Sequence, residues 1–328
     1  MRPPFAAARS EASWSKGSLR VVVGLSTKGS SNASMSSNSE KSQISYLIRL
    51  IDDRDEFVRK QVREQLIKLG EDAIPFLEVA ARTENLEIKS IASEIIQAII
   101  PKQLLRQFGQ LAQSSPSGHW NLEKGVILLQ KFGYPDEETN SLSQSLDLLA
   151  KEVSALIEHN QSPEQTIQRL TRFLFFEKGF EGNKIDFFDP DNTYFLRVLD
   201  RRKGIPITLS ALCIFLGQRI GLPIVGVGLP GRYIAKYESL TQPIYFDPFD
   251  KGRILSQEDC AGLIEKMGYR FEEHYLGAAT SRETLIRMMN NLIMTYNKNA
   301  KPEKSKYLSD FIKALSGNLE QSSSVRPN

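Results

Sequence analysis

The feature that most constrains this chain is a change of hydrophobic rhythm along its length. Over residues 44–157 apolar side chains recur every three or four positions, the spacing of one face of an α-helix. Over residues 224–247 that rhythm gives way to three short runs, 224–229, 232–237 and 244–247, closed by Pro230-Gly231 and Pro248. Runs that short, bounded by turn residues, read as strands. Helices followed by an antiparallel meander predict an α+β fold, mostly helical, with one small antiparallel sheet.

The first helical stretch has four parts. Leu47, Ile48 and Ile51 define one; Phe57, Val58, Val62, Leu66 and Ile67 a second; Ile74, Phe76, Leu77 and Val79 a third; and Ile88, Ile91, Ile95, Ile96 and Ile99 a fourth. Asp52-Asp53-Arg54-Asp55, Gly70-Glu71-Asp72 and Thr83-Glu84-Asn85 supply the breaks and the caps. Residues 44–100 resemble HEAT repeats, in which helix pairs stack by burying one apolar face against the next pair. Two pairs are too few for a solenoid, so this piece is expected to dock on the following domain; a plain helical bundle fits the same spacing. Pro101 lacks a backbone donor and is predicted to end the helix, making residues 101–118 a linker.

A second domain is predicted over residues 119–278. It opens with helices through Leu122, Val126 and Leu129, and through Leu142, Leu146, Leu149 and Val153; another starts after Ser162-Pro163. A helix near Tyr194 precedes one whose face is Leu209, Leu212, Cys213 and Leu216, ended by Gly221-Leu222-Pro223. After the strands, residues 279–316 read as two helices and residues 317–328 as a disordered tail.

Composition narrows the function. With 41% apolar residues in 328, the chain can build about two compact domains. No apolar run approaches the ~20 residues that span a bilayer, so no membrane partner is expected. Arg2, Arg9, Lys16, Arg20 and Lys28 against Glu11 place +4 on residues 1–34, leaving −1 on the remainder. A body that nearly neutral gives no electrostatic ground for binding nucleic acid. Cys213, Cys260, His119, His159 and His274 lie in unrelated segments, so neither a metal nor a cofactor is expected, and the sparse cysteines suit a reducing, cytoplasmic setting. The Ser-rich, acid-poor residues 1–43 read as disordered or as a targeting segment; an organellar location follows if residues 1–34 are a transit peptide, and Met35 is an alternative start.

Gly182-Asn183, Phe188-Asp-Pro-Asp-Asn-Thr-Tyr194, Arg201-Arg-Lys-Gly-Ile-Pro-Ile-Thr-Leu-Ser210, Arg219-Ile-Gly-Leu-Pro223 and Val227-Gly-Leu-Pro-Gly231 are a distinctive series. Together with Leu122-Glu-Lys-Gly125 upstream and Tyr245-Phe-Asp-Pro-Phe249 downstream, it resembles the bacterial SirB family of transglutaminase-like proteins over about residues 119–300. The resemblance implies a cysteine-protease-like core flanked by helical-repeat segments, with a tetratricopeptide-like hairpin at the C-terminal end. More distantly it implies a triad: a cysteine at a helix start, a histidine on the next strand and an aspartate on the one after. A helix N-terminus acidifies the thiol, the imidazole takes its proton and the carboxylate orients the imidazole.

This sequence departs from that pattern. The helix that would carry the thiol begins Ile205-Pro206-Ile207-Thr208, and Arg232 stands where the imidazole is expected. A guanidinium stays protonated and is no general base. Asp247 alone matches, so Pro206, Thr208, Arg232 and Asp247 form a vestigial cleft with no catalytic set. Cys213 reads as a core residue and Cys260 as part of a capped helix start; Thr208 and Ser210 lack a base, and Thr208 suits capping. The cluster Arg201-Arg202-Lys203 reads as solvated or as a grip for an anion. The expected function is a non-catalytic module that binds or scaffolds another protein. The alternative is an amidase or peptidase using Thr208 or Cys260 with Asp247.

Overall fold

The computed structural model describes residues 33–135, 137–138, 140–158, 160–239 and 242–322. The first helical rhythm becomes α1 (Ala33–Arg49), α2 (Glu56–Leu69), α3 (Ile74–Ala81) and α4 (Leu86–Ser114). The breaks fall where short polar side chains satisfy free backbone donors. Asp55 accepts from the Phe57 N–H at 2.9 Å, and Asn85 accepts from Glu87 and Ile88 at 3.0 and 3.3 Å.

Three boundaries differ from the sequence expectation. Residues 33–43 belong to α1 rather than to a disordered segment, and residues 1–32 lie outside the described residues. Pro101 ends nothing, because α4 runs through it for 29 residues, so most of the expected linker 101–118 is helix. An interior proline costs a helix about 3 kcal/mol. Here Ile95, Ile96, Ile99, Ile100, Leu104, Phe108 and Leu111 are all buried around it, at about 1.5–3 kcal/mol for each fully buried side chain, and packing wins. The third difference is α12 (Pro302–Ser322), which continues past residue 316; residues 323–328 lie outside the described set.

The N-terminal helices meet the rest of the chain through α4, by residues past 100 that the sequence expectation assigns to a linker. The second half of α4 packs on α12, with Phe311 centred 5.0 Å from Phe108 and 5.4 Å, edge-on, from Phe132 of α5 (Leu122–Gly133). Helices from the two ends of the chain thus share one core.

Between them lie α6 (Asn140–Ser154), α7 (Pro163–Arg172) and α8 (Phe195–Arg201), which share the main core with α9 (Pro206–Ile220), α6 packing directly on it and the Phe195 ring of α8 centred 5.1 Å from that of Phe215. Residues 207–217 of α9 are all buried, so this is a central helix without a solvent face. Gly221 ends it in the left-handed region at φ 74°, which glycine adopts without steric cost. The sheet follows as a meander, β3 (Ile224–Val227), β4 (Ile234–Tyr237), β5 (Ile244–Asp247) and β6 (Arg253–Leu255), after a two-residue parallel bridge of β1 (Glu181–Gly182) with β2 (Lys203–Gly204).

Alternation divides the faces of the sheet. Ala235 and Phe246 join the main core, whereas Ile234, Tyr245 and Leu255 meet Cys260 and Ile264 of α10 (Gln257–Glu265). A hairpin of α11 (Ser281–Lys298) and α12 completes the molecule. No helix among the described residues is long and apolar enough to cross a membrane.

Candidate functional site

The site builds outward from the start of α9. Pro206 occupies the first turn, where a missing N–H costs nothing. Thr208 is fully buried; its hydroxyl accepts from the Ile205 N–H at 3.0 Å and donates to the Asn192 carbonyl at 2.8 Å. That is the capping role read from the sequence, carried out from the third helical position. The Ser210 hydroxyl is also buried and points at the Tyr233 carbonyl, 3.5 Å away.

Asn192 is held in turn. Its side-chain amide donates to the Asp186 carbonyl at 2.7 Å, and its side-chain oxygen accepts from Asn183 at 2.9 Å. Arg201 pairs with Asp189 at 2.6 Å and with Asp191 at 3.2 Å, and Asp191 also accepts from the Tyr134 hydroxyl. Most of the residues that made the sequence distinctive therefore fix the loop over the first turn of α9. The basic cluster is divided by this arrangement: Arg201 is used inside, Lys203 pairs with Glu181 at 3.5 Å, and exposed Arg202 caps α8 at φ 56°.

Arg232 and Asp247 come together. The guanidinium donates to Asp247 Oδ2 through Nε at 3.0 Å and Nη2 at 2.5 Å. The other carboxylate oxygen accepts the N–H groups of Phe249 and Asp250 at 2.9 and 3.3 Å, so Asp247 caps a turn and neutralises an arginine at once. Asp247 is 3% exposed, and the Arg232 guanidinium lies 4.8 Å over the Phe249 ring. Arg287 of α11 closes the neighbouring turn, donating to the Leu229 and Arg232 carbonyls at 2.8 and 2.9 Å. Burial lowers its pKa.

Both thiols are buried and free. Burial raises the pKa of each; for Cys260, helped by the charges of Asp259 and Asp247, it is pushed up to about 11. The helix start does not acidify Cys260. His119 is exposed, His274 pairs with Glu272 at 3.1 Å on the surface, and His159 lies outside the described residues. Among the described residues no cluster of histidine, cysteine and carboxylate side chains could hold a metal.

One group escaped the sequence reading. Lys184, Ile185 and Phe187 sit between the motif runs that end at Asn183 and begin at Phe188, and Ile185 is 98% exposed. The signal was present as Lys-Ile-Asp-Phe-Phe, an apolar stretch in a loop.

Residues 140–290 match the family model of the transglutaminase-like superfamily, and the chain carries a transglutaminase-like domain there. A UPF0162 protein of Vibrio cholerae is 32% identical over 137 residues, covering 42% of this chain and 50% of that protein. A UPF0162 protein of Xylella fastidiosa is 27% identical over 177 residues, covering 52% and 63%. F-box only protein 21 of Homo sapiens is 30% identical over 162 residues, covering 47% of this chain and 25% of that protein. The chain thus spans between half and two thirds of these bacterial relatives. No solved structure matches.

Proposed function

We propose that this chain is a non-catalytic, SirB-like transglutaminase-like module that binds or scaffolds another protein, with HEAT-like helices and a tetratricopeptide-like hairpin as its arms. The observation that carries the reading is the Arg232–Asp247 pair. A permanently protonated group fills the place of a general base and occupies the carboxylate that would orient one. The alternative, hydrolysis by Thr208 or Cys260 with Asp247, gains no support from the geometry. The Thr208 hydroxyl is buried and engaged, and a thiol with a pKa near 11 is protonated at neutral pH. A match covering a quarter of F-box only protein 21 favours a unit that can be carried within longer proteins. The same reading places the chain in a reducing cytoplasm, where Cys213 and Cys260 stay unpaired.

The test is an amide-hydrolysis and amine-transfer assay on the purified full chain, beside Thr208→Val and Asp247→Asn. Activity at the buffer level in all three is expected. Turnover by the wild type that either variant abolishes would establish the alternative, as would native labelling of a cysteine by a mechanism-directed thiol probe that heat denaturation abolishes.

A further inference from the structure

Bases around α9 are neutralised within the fold, Arg201 by Asp189 and Arg232 by Asp247 near its start and Arg219 by Glu123 at its end. Lys184, Arg287 and Lys298 are different. Among the described residues no carboxylate forms an ion pair with any of the three. They lie along one connected band. The Lys298 ammonium sits 3.9 Å over Phe188, whose ring is 5.5 Å from that of Phe187, which in turn is 6.5 Å from Phe249. Lys184 lies 6.0 Å from the centre of Phe249, and Arg287 holds the carbonyl of Arg232, whose guanidinium covers the same ring. Exposed Ile185 projects beside it.

We propose that this band is the docking site for an acidic, extended peptide segment of a partner protein, a proposal that rests on the binding-module reading and names the partner's chemistry. Exposed Lys184 and Lys298 face one exposed loop acid without an ion pair among the described residues, Asp186, since exposed Asp250 beside Phe249 pairs with Arg253, so the band is positive while the body as a whole carries −1. Complementary charge steers and registers a partner, and Ile185 and Phe187 supply apolar contact between the charges. The chain's own residues 1–34 carry +4 and are repelled by the band, so the occupant is another molecule. Nucleic acid fits less well. Base stacking needs open ring faces, and Phe188 and Phe249 already carry cations, while the near-neutral body offers a polyanion little long-range attraction.

The experiment measures fluorescence anisotropy of a labelled decapeptide alternating Glu and Phe against the full chain. A Lys-for-Glu peptide and a single-stranded oligonucleotide serve as competing probes. We expect the acidic peptide alone to bind, and raising salt from about 50 to about 300 mM to weaken it. The double variant K184E/K298E should weaken it about tenfold or more. Lys313→Glu, on the exposed face of α12, should leave affinity unchanged, and circular dichroism should show every variant folded. Equal affinity in K184E/K298E and wild type, tighter binding of the oligonucleotide, or no binding of the acidic peptide each overturns the inference. None of these touches the binding-module reading, which fails separately if the chain turns over amides.

Discussion

Replacing Arg282 by Met should loosen the joint between the N-terminal helices and the transglutaminase-like domain. Arg282 is 4% exposed, yet it lies in the first turn of α11, where that helix's own dipole disfavours a cation. What holds it there is the C-terminal end of α4. Nη1 donates to the Pro116 carbonyl at 2.9 Å, and Nη2 faces the carbonyls of Ala112 and Ser115, both at 3.4 Å. The Arg282 N–H also donates to Gly118 at 3.2 Å, so one residue clamps the end of α4 and the loop after it. A hydrogen bond to a charged group contributes about 1.5–3 kcal/mol, and a partly buried cation at a helix C-terminus up to about 2 kcal/mol. Removing the buried guanidinium also removes its desolvation cost, so Arg282→Met should lose about 2–4 kcal/mol while keeping the alkyl packing. Arg282→Lys keeps the charge without the fork and should lose roughly half of that. Urea unfolding followed by Trp120 fluorescence reads the joint directly, because the Trp120 carbonyl accepts from the Ser281 hydroxyl at 2.5 Å. A loss below about 1 kcal/mol in the Met variant, with an unchanged denaturant slope, would refute the reasoning.

Three further outcomes follow from the same kind of accounting. The Glu123 side chain is 10% exposed and shares Arg219 with Asp147, which still holds the arginine when Glu123 is removed, so Glu123→Ala should cost about 1.5–3 kcal/mol, and E123L/R219M should recover much of that in urea titrations. Cys260 has a folded pKa raised to about 11, so its contribution is complete below the unfolded value near 9 and is lost as pH rises toward 11. The urea midpoint should therefore fall between pH 9 and 11 with a slope that Cys260→Ala reduces, and an unaltered slope in that variant would contradict the assignment. Pro101→Ala restores a helix donor worth about 3 kcal/mol and gives up about two buried methylenes at about 0.8 kcal/mol each, so it should raise stability by about 1 kcal/mol; a lower midpoint would show that the proline ring is needed to fill its site.

What could be read from the sequence was local chemistry. Asp55, Asn85, Ser162, Ser256 and Thr280 all cap helices, each through contacts within a few residues, and three of the four sheet strands announced themselves by alternation and flanking turns. What escaped were features decided by distant partners. Helix α4 survives Pro101 because of residues in α3 and α12, and β6, with three residues, is too short to carry a pattern. Arg232 and Asp247 were each noted as cleft positions, but that one saturates the other depends on β4 pairing with β5, which brings the turn before β4 close to the end of β5.

The loop over α9 extends this point to function. Asn183, Asp189, Asp191, Asn192, Arg201 and Thr208, the residues that make the sequence recognisable, have their hydrogen-bonding capacity directed at one another. Groups so engaged can hold a shape but have little left to offer a ligand. Among the described residues, charges without an ion pair remain at Lys184 in the loop and at Lys298 on the helix facing it, and Ile185 beside Lys184 offers open apolar surface. If the chain is the binding module proposed above, a closed neighbourhood around α9 leaves the rim, where charge is unpaired, as the place to recognise a partner. On the proposed reading, the residues that make the sequence recognisable and those that would meet a partner are different, although both border the same loop.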